Sequence, residues 1–251
     1  MNPLIILLGF VIGMLIGLSG MGGGAVLTPA LMLLGVPPIR AVGSDLLYMS
    51  ITRGVGSSLY MKSGKVEFKI VVPLLMGTIP SIVISALILR TIMQSTIVNL
   101  VIRYLLSSIL ILTSTLHIIR LYRGNDKKER LYRAQEYNWV FFVFVGFLIG
   151  VVVVFTSVGS GTILALVLLR FMKKGGKIVG TDMVYSFVVT SLAAIIHAII
   201  GNVDIFLVLT LLMGSIPGVT MGFFINHKIP DRYILYTLSA LLFMMGIILL
   251  L

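Results

Sequence analysis

The sequence predicts an all-α polytopic membrane protein made of two inverted-topology repeats, each a broken helical hairpin plus three spanning helices, with about 8–10 membrane helical segments. Three observations carry this prediction. First, of 251 residues 59% are hydrophobic and 11% charged, with a mean hydropathy of +1.15. A soluble domain carries about 25% charged residues, so this chain has too little polar surface for a water-facing globule and must be solvated by lipid. Second, residues n and n+137 match in one ungapped register along the chain. Third, the basic residues gather on one side of the implied membrane.

The repeat is anchored by residues that apolar low complexity cannot imitate. Gly9, Phe10, Ile12 and Gly13 fall on Gly146, Phe147, Ile149 and Gly150, and Gly22 and Gly24 on Gly159 and Gly161. Val42-Gly43-Ser44-Asp45 meets Val179-Gly180-Thr181-Asp182, and Met76-Gly77-Thr78-Ile79-Pro80 meets Met213-Gly214-Ser215-Ile216-Pro217. The halves are residues 1–119 and 138–251, joined by a polar linker, 120–137, with six Lys/Arg and three acidic residues. In the first half, Leu4 to Leu34 is an apolar stretch broken at Gly17-Leu18-Ser19-Gly20-Met21-Gly22-Gly23-Gly24. Helices are expected at about 41–61, 68–90 and 97–121, then at about 139–171 with a break from Thr156 to Gly161, and at about 178–200, 204–226 and 231–251.

A single helix over the 31 residues from Leu4 to Leu34 would be about 46 Å long, against a hydrocarbon core near 30 Å. A hairpin enters and leaves by the same face, and the two readings place the later loops on different sides. With hairpins, fourteen basic loop residues lie on one face and two, Arg40 and Arg90, on the other; with a long helix the split is nine to seven. The positive-inside rule selects the hairpin. Each half then crosses an odd number of times, so the halves are inverted, both termini lie outside and the linker is cytoplasmic. The net charge of +11 follows from this loop bias, and nucleic acid is not an expected partner. The absence of cysteine excludes disulfides and thiolate chemistry. The start, Met1-Asn2-Pro3, lacks a signal peptide's basic stretch and is kept in the mature fold.

Matched interrupted helices in inverted repeats point to a transporter's substrate site. Ser19, Gly20, Gly22, Gly23 and Gly24 in the first break, and Thr156, Ser157, Gly159, Ser160 and Gly161 in the second, offer free backbone N–H groups and hydroxyls at a helix amino end, which suits an anion. The competing reading is close helix packing at small residues. Charges inside a membrane are costly and functional by default. Asp45 and Asp182 are symmetry mates, either helix caps beside Ser44 and Thr181 or a proton-coupling or gating pair. Arg53, with Thr190 as its mate, needs Asp45, carbonyls or a bound anion. Arg103 and Arg170 are expected to pair locally or to snorkel. His197, matched by Tyr60, is either a hydrogen-bonded structural residue or a proton carrier. Pro80 and Pro217 are expected to kink spanning helices.

At these residues the chain resembles the TauE/SafE family of sulfite exporters. The likeness covers nearly all of the chain, through Gly17 to Gly24 with Pro29, Ala41-Val42-Gly43-Ser44-Asp45-Leu46-Leu47-Tyr48, Ser63-Gly64-Lys65-Val66, Gly180-Thr181-Asp182, His197 with Gly201-Asn202-Val203-Asp204, and Gly214-Ser215-Ile216-Pro217-Gly218. It implies a multi-pass transporter in a prokaryotic cell membrane that exports sulfur-containing anions such as sulfite or organosulfonates. Two departures, Met183-Val184-Tyr185 where many relatives carry a histidine and Leu166 opposite Pro29, bear on the substrate rather than the fold.

The combined expectation is an alternating-access secondary transporter, with an anion site at two opposed hairpin tips and Arg53, and coupling or gating by Asp45, Asp182 and His197. The expected partners are a small anion, protons as coupling ion and the lipid bilayer; a homo-oligomer is compatible with the sequence but has no support in it. An anion channel of the same architecture is the first rival, and a non-transport membrane protein the second. No nucleophile–base pair and no His/Glu metal spacing stands out, so neither enzymatic activity nor a cofactor is expected.

Overall fold

A computed structural model of the chain describes residues 3–19, 23–92, 97–122, 138–172, 175–226 and 231–250. The described residues form ten α-helices and no strand: α1 Pro3–Ser19, α2 Leu27–Leu33, α3 Pro38–Lys62, α4 Phe68–Ile92, α5 Ile97–Tyr122, α6 Trp139–Thr156, α7 Thr162–Phe171, α8 Gly175–Ile200, α9 Ile205–Asn226 and α10 Asp231–Leu250. A short 3₁₀ turn, Gly23–Val26, leads into α2. The expected linker lies largely outside the described residues, as do Gly20 and Gly22 of the first break.

Among the described residues, five helical segments are long and apolar enough to cross a membrane: Phe68–Ile92, Ile97–Ile119, Trp139–Thr156, Gly176–Ile200 and Ile205–Gly222. Large apolar side chains such as Leu87, Phe206 and Ile216 stand out from the surface, Phe206 at 84% exposure. Lipid is the solvent that such a surface fits. α3 has the length of a span but a polar content that its neighbours absorb: Ser44, Asp45, Ser50, Arg53 and Ser57 are all buried in protein.

Helix packing is reciprocal under the 137-residue shift. The most extensive pairings are α1 on α9, α4 on α6, α3 on α8 and α5 on α10, so each half lays its first helix on the other half's α4 or α9. Glycine makes these approaches possible. A Cβ on Gly9 would strike the Leu211 carbonyl, and one on Gly146 the Leu74 carbonyl, its counterpart. Gly77 faces Val143 and Gly214 faces Ile6 in the same way. Small residues that let backbones meet are the usual basis of helix association in lipid, where burial of apolar surface gives no drive.

Contacts also fix relative direction. Gly54 faces Phe187, Gly180 faces Tyr60 and Gly43 faces His197, so α3 and its mate α8 run antiparallel. Arg103 Nε donates to the Leu249 carbonyl, and Gly246 lies against Ser107, so α5 and its mate α10 also run antiparallel. Against this, α1 runs parallel to α9, with Gly9 at Leu211 and Gly13 at Ser215, and α6 runs parallel to α4.

The helix starts are tied across the halves as well. Ser44 Oγ accepts from the Asp204 amide at 3.0 Å, and Thr181 Oγ1 accepts from the Glu67 amide at 3.0 Å. These residues therefore satisfy free amides ahead of α9 and α4 rather than capping their own helices.

Candidate functional site

The second hairpin is described throughout its turn. α6 ends at Thr156, and Ser157 adopts the left-handed conformation at φ 58°. It is the single non-glycine residue with positive φ among the described residues. Such a backbone is held only where its surroundings over-determine it. Here the surroundings are a carboxylate: Ser157 Oγ lies 2.6 Å from Asp45 Oδ2. Gly159, at φ +119°, completes the reversal, and α7 starts at Thr162 with no side chain capping its amides.

Both hairpins meet at Asp45. Thr28, one residue into α2 on the returning arm of the first hairpin, places Oγ1 2.6 Å from Asp45 Oδ2 and 2.6 Å from Ser157 Oγ. All three residues are buried, and Asp45 Oδ1 has no hydrogen-bond partner among the described residues. Asp45 stands seven residues into α3 and Asp182 seven into α8. The helix-cap alternative for these two carboxylates is therefore excluded by position.

Arg53, two turns further along α3, is 8% exposed, and its Nη1 donates to Ser160 Oγ at 3.0 Å. No carboxylate lies within ion-pair distance of it among the described residues, where the ion pair is Lys177 with Glu67. Because α3 and α8 are antiparallel, Arg53 falls between the two carboxylates. Of Asp182, one oxygen accepts from Ser186 Oγ at 3.4 Å, and Oδ2 has no partner among the described residues.

The structure thus brings Ser157, Ser160, Arg53 and Asp45 into one place, with Gly159 and Gly161 shaping the turn. Thr156 serves the turn itself, donating to the Val152 carbonyl at 2.7 Å. Gly23 and Gly24 lie in the 3₁₀ turn of the first hairpin, and Ser19 closes α1. His197 is far from Asp182 but faces Gly43 at the Asp45 end of α3. It is fully buried and bonds the Val154 carbonyl through Nε2 at 2.9 Å, about 22 Å along α8 from Asp182 at 1.5 Å per residue. Its Nδ1, turned toward Gly43, has no partner.

Two hydroxyls at the site escape a reading of the sequence. Thr28 sits in an apolar arm, and only its place just after the glycine-rich break hints at a role. Thr162 opens α7 with a buried Oγ1 that has no partner. A further pair, Thr78 and Tyr185, bonds at 2.6 Å and joins α4 to α8.

The chain matches the sulfite exporter TauE/SafE family over residues 5–249. It is 35% identical to "Probable membrane transporter protein YjnA" of Bacillus subtilis, over 98% of this chain and 99% of that protein. It is 25% identical to "Probable membrane transporter protein YunE" of the same organism, over 97% and 95%. No solved structure matches. The match over nearly the whole length, together with the apolar spans, shows that the chain belongs to the sulfite exporter TauE/SafE family of multi-pass membrane transporters.

Proposed function

We propose that the protein is a secondary transporter that exports a small sulfur-containing anion, such as sulfite or an organosulfonate, by alternating access at a site near the midplane where the two hairpin tips meet. The observation that carries this reading is Arg53: a buried guanidinium in a spanning helix, bonded to the hydroxyl of Ser160 at a hairpin turn, with no carboxylate in ion-pair contact among the described residues. A charge so placed calls for a counter-charge, and a bound anion supplies it. The start of α7 adds the Thr162 hydroxyl, unpartnered among the described residues, whereas the expected free amides there are taken: Ile163 and Leu164 donate to the Gly159 carbonyl and Ala165 to that of Gly161.

The test is thermal stabilisation of the purified protein across sulfite, thiosulfate, sulfonates, sulfate and carboxylates. Sulfite or a sulfonate should raise the melting temperature in a saturable way, and a flat response to every anion rejects the site. Saturating, gradient-driven flux in proteoliposomes separates this reading from an anion channel of the same architecture.

Alternating access around a fixed site is natural for inverted repeats. Support for inversion here comes from the antiparallel course of the mates α3 and α8, and of α5 and α10, since a two-fold axis in the membrane plane reverses each helix relative to its mate. Both termini then lie outside, residues 120–137 face the cytoplasm, and residues 1–119 and 138–251 are the repeats. A chain without cysteine allows a direct check. Lys62→Cys should be labelled by an impermeant maleimide only from the cytoplasmic side, and Ile199→Cys, at the mated position, only from outside. Labelling of both from one side would exclude inversion.

A further inference from the structure

Asp45 and Asp182 are mates under the 137-residue shift, but their surroundings are not. The positions that would do for Asp182 what Thr28 and Ser157 do for Asp45 are Ala165 and Gly20, neither of which has a hydroxyl. Among the described residues Asp182 is left with Ser186 of its own helix and with one oxygen bare.

Around Asp45 the protons can be counted. Thr28 Oγ1, Ser157 Oγ and Asp45 Oδ2 lie 2.6 Å from one another, which makes three short O···O contacts. Two hydroxyls supply two protons, and an ionised carboxylate supplies none. One contact would then hold two oxygens at hydrogen-bond distance with no hydrogen between them. A protonated carboxyl supplies the third proton, and the ring closes with each oxygen donating once and accepting once. The bare Oδ1 agrees with this, since an unpartnered buried carbonyl oxygen is far cheaper than an unpartnered buried anionic one.

Arg53 stays charged. With Asp45 neutral, an ionised Asp182 balances it, and the buried set carries no net charge. An anion arriving at Arg53 takes over that balance and leaves Asp182 as an uncompensated charge inside the membrane, a costly state.

We propose that the anion binds together with one proton, which goes to Asp182, while Asp45 keeps its own proton as a clasp between the two hairpins. The other groups near Asp182 do not supply this proton's place. On α8, Tyr185 is bonded to Thr78 of α4. From α3 come Arg53, Tyr60, which lies against Gly180, and Asp45 farther along. The Glu67 carboxylate is paired with Lys177. α6 has no ionisable side chain, Lys69 and Arg90 of α4 are exposed at its ends, and Arg170 of α7 is exposed. The assignment rests on the anion-site reading above and adds to it a proton count and an address.

Calorimetric titration of the full-length protein in two buffers of different protonation enthalpy tests it. The probes are methanesulfonate, isethionate and nitrate, monovalent anions that do not titrate near neutral pH. Binding should take up about one proton per anion, and affinity should rise about tenfold for each unit that pH falls while Asp182 is ionised in the free protein. Asp182→Asn should bind with no proton uptake and lose the pH dependence, and Asp45→Asn should still take up one proton. Difference infrared spectra of the unaltered protein give the same answer without a variant: a protonated-carboxyl C=O band should appear on anion binding. Binding with no proton uptake and no new band overturns this assignment and leaves the anion site standing. If none of the probes binds, the anion site fails and the assignment fails with it.

Discussion

Arg53→Gln is expected to abolish anion-dependent stabilisation, weakening binding by at least about 30-fold, which corresponds to roughly 2 kcal/mol at tenfold per 1.4 kcal/mol. The reasoning is electrostatic. Glutamine retains a donor that Ser160 can accept, so the local hydrogen bonding has a substitute, but the charge that faces a bound anion is gone. Arg53→Lys should lie between the two, because an ammonium keeps the charge and loses the planar fork of donors. The measurement is the concentration of sulfite or methanesulfonate at half-maximal shift of the melting temperature, with the anion-free melting temperature of each variant as the control for folding. An Arg53→Gln protein that folds and responds to anion like the parent would remove Arg53 from the site.

The second large effect is on stability. Gly77→Ala is expected to cost about 1–3 kcal/mol or more, because its Cβ would sit against the Val143 carbonyl and the Phe147 amide of α6. Backbone cannot swing aside as a side chain can, so α4 and α6 must separate along their length. Gly176→Ala is the contrast. There the nearest atoms are Cδ and Cε of Lys65, at 3.5 and 4.0 Å, ordinary contacts with a flexible chain. That variant should be neutral or slightly more stable, since alanine favours a helix over glycine by about 1 kcal/mol. Melting of both variants in the same detergent decides it; equal losses would mean that the close approach of α4 to α6 does not limit stability.

Much of the fold was legible because lipid simplifies the code. Helix ends expected at 68–90 and 97–121 lie within two residues of those found for α4 and α5, and the break from Thr156 to Gly161 spans the turn between α6 and α7. Apolar runs of spanning length and clusters of glycine and hydroxyls are local signals. Partners are not. Thr28 reaches Asp45 across seventeen residues and Ser157 reaches it across 112, and no periodicity reports a contact of that kind. Of the two alternatives for Asp45, a cap beside Ser44 or a coupling group, the first finds its hydroxyl engaged elsewhere. Ser44 accepts the amide of Asp204, 160 residues later and just ahead of α9. Arg53 was read as needing Asp45, carbonyls or an anion, and the protein partner it has is a hydroxyl from the other half.

The exchange of first helices between the halves has a consequence for synthesis. α1 is among the first segments made, and its partner α9 begins at Ile205. At about 5–20 residues per second, α1 spends on the order of ten seconds or more in the bilayer before the helix shaped to receive it exists. Its glycine-lined flank, with Gly9 and Gly13 open to neighbours, is unoccupied during that interval. α6, in contrast, emerges when α4 is already in place and docks at once. The nascent chain can therefore seat its second hairpin on α4 before α9 exists to seat the first, and the contacts at Asp45 wait for Ser157, made 112 residues after it.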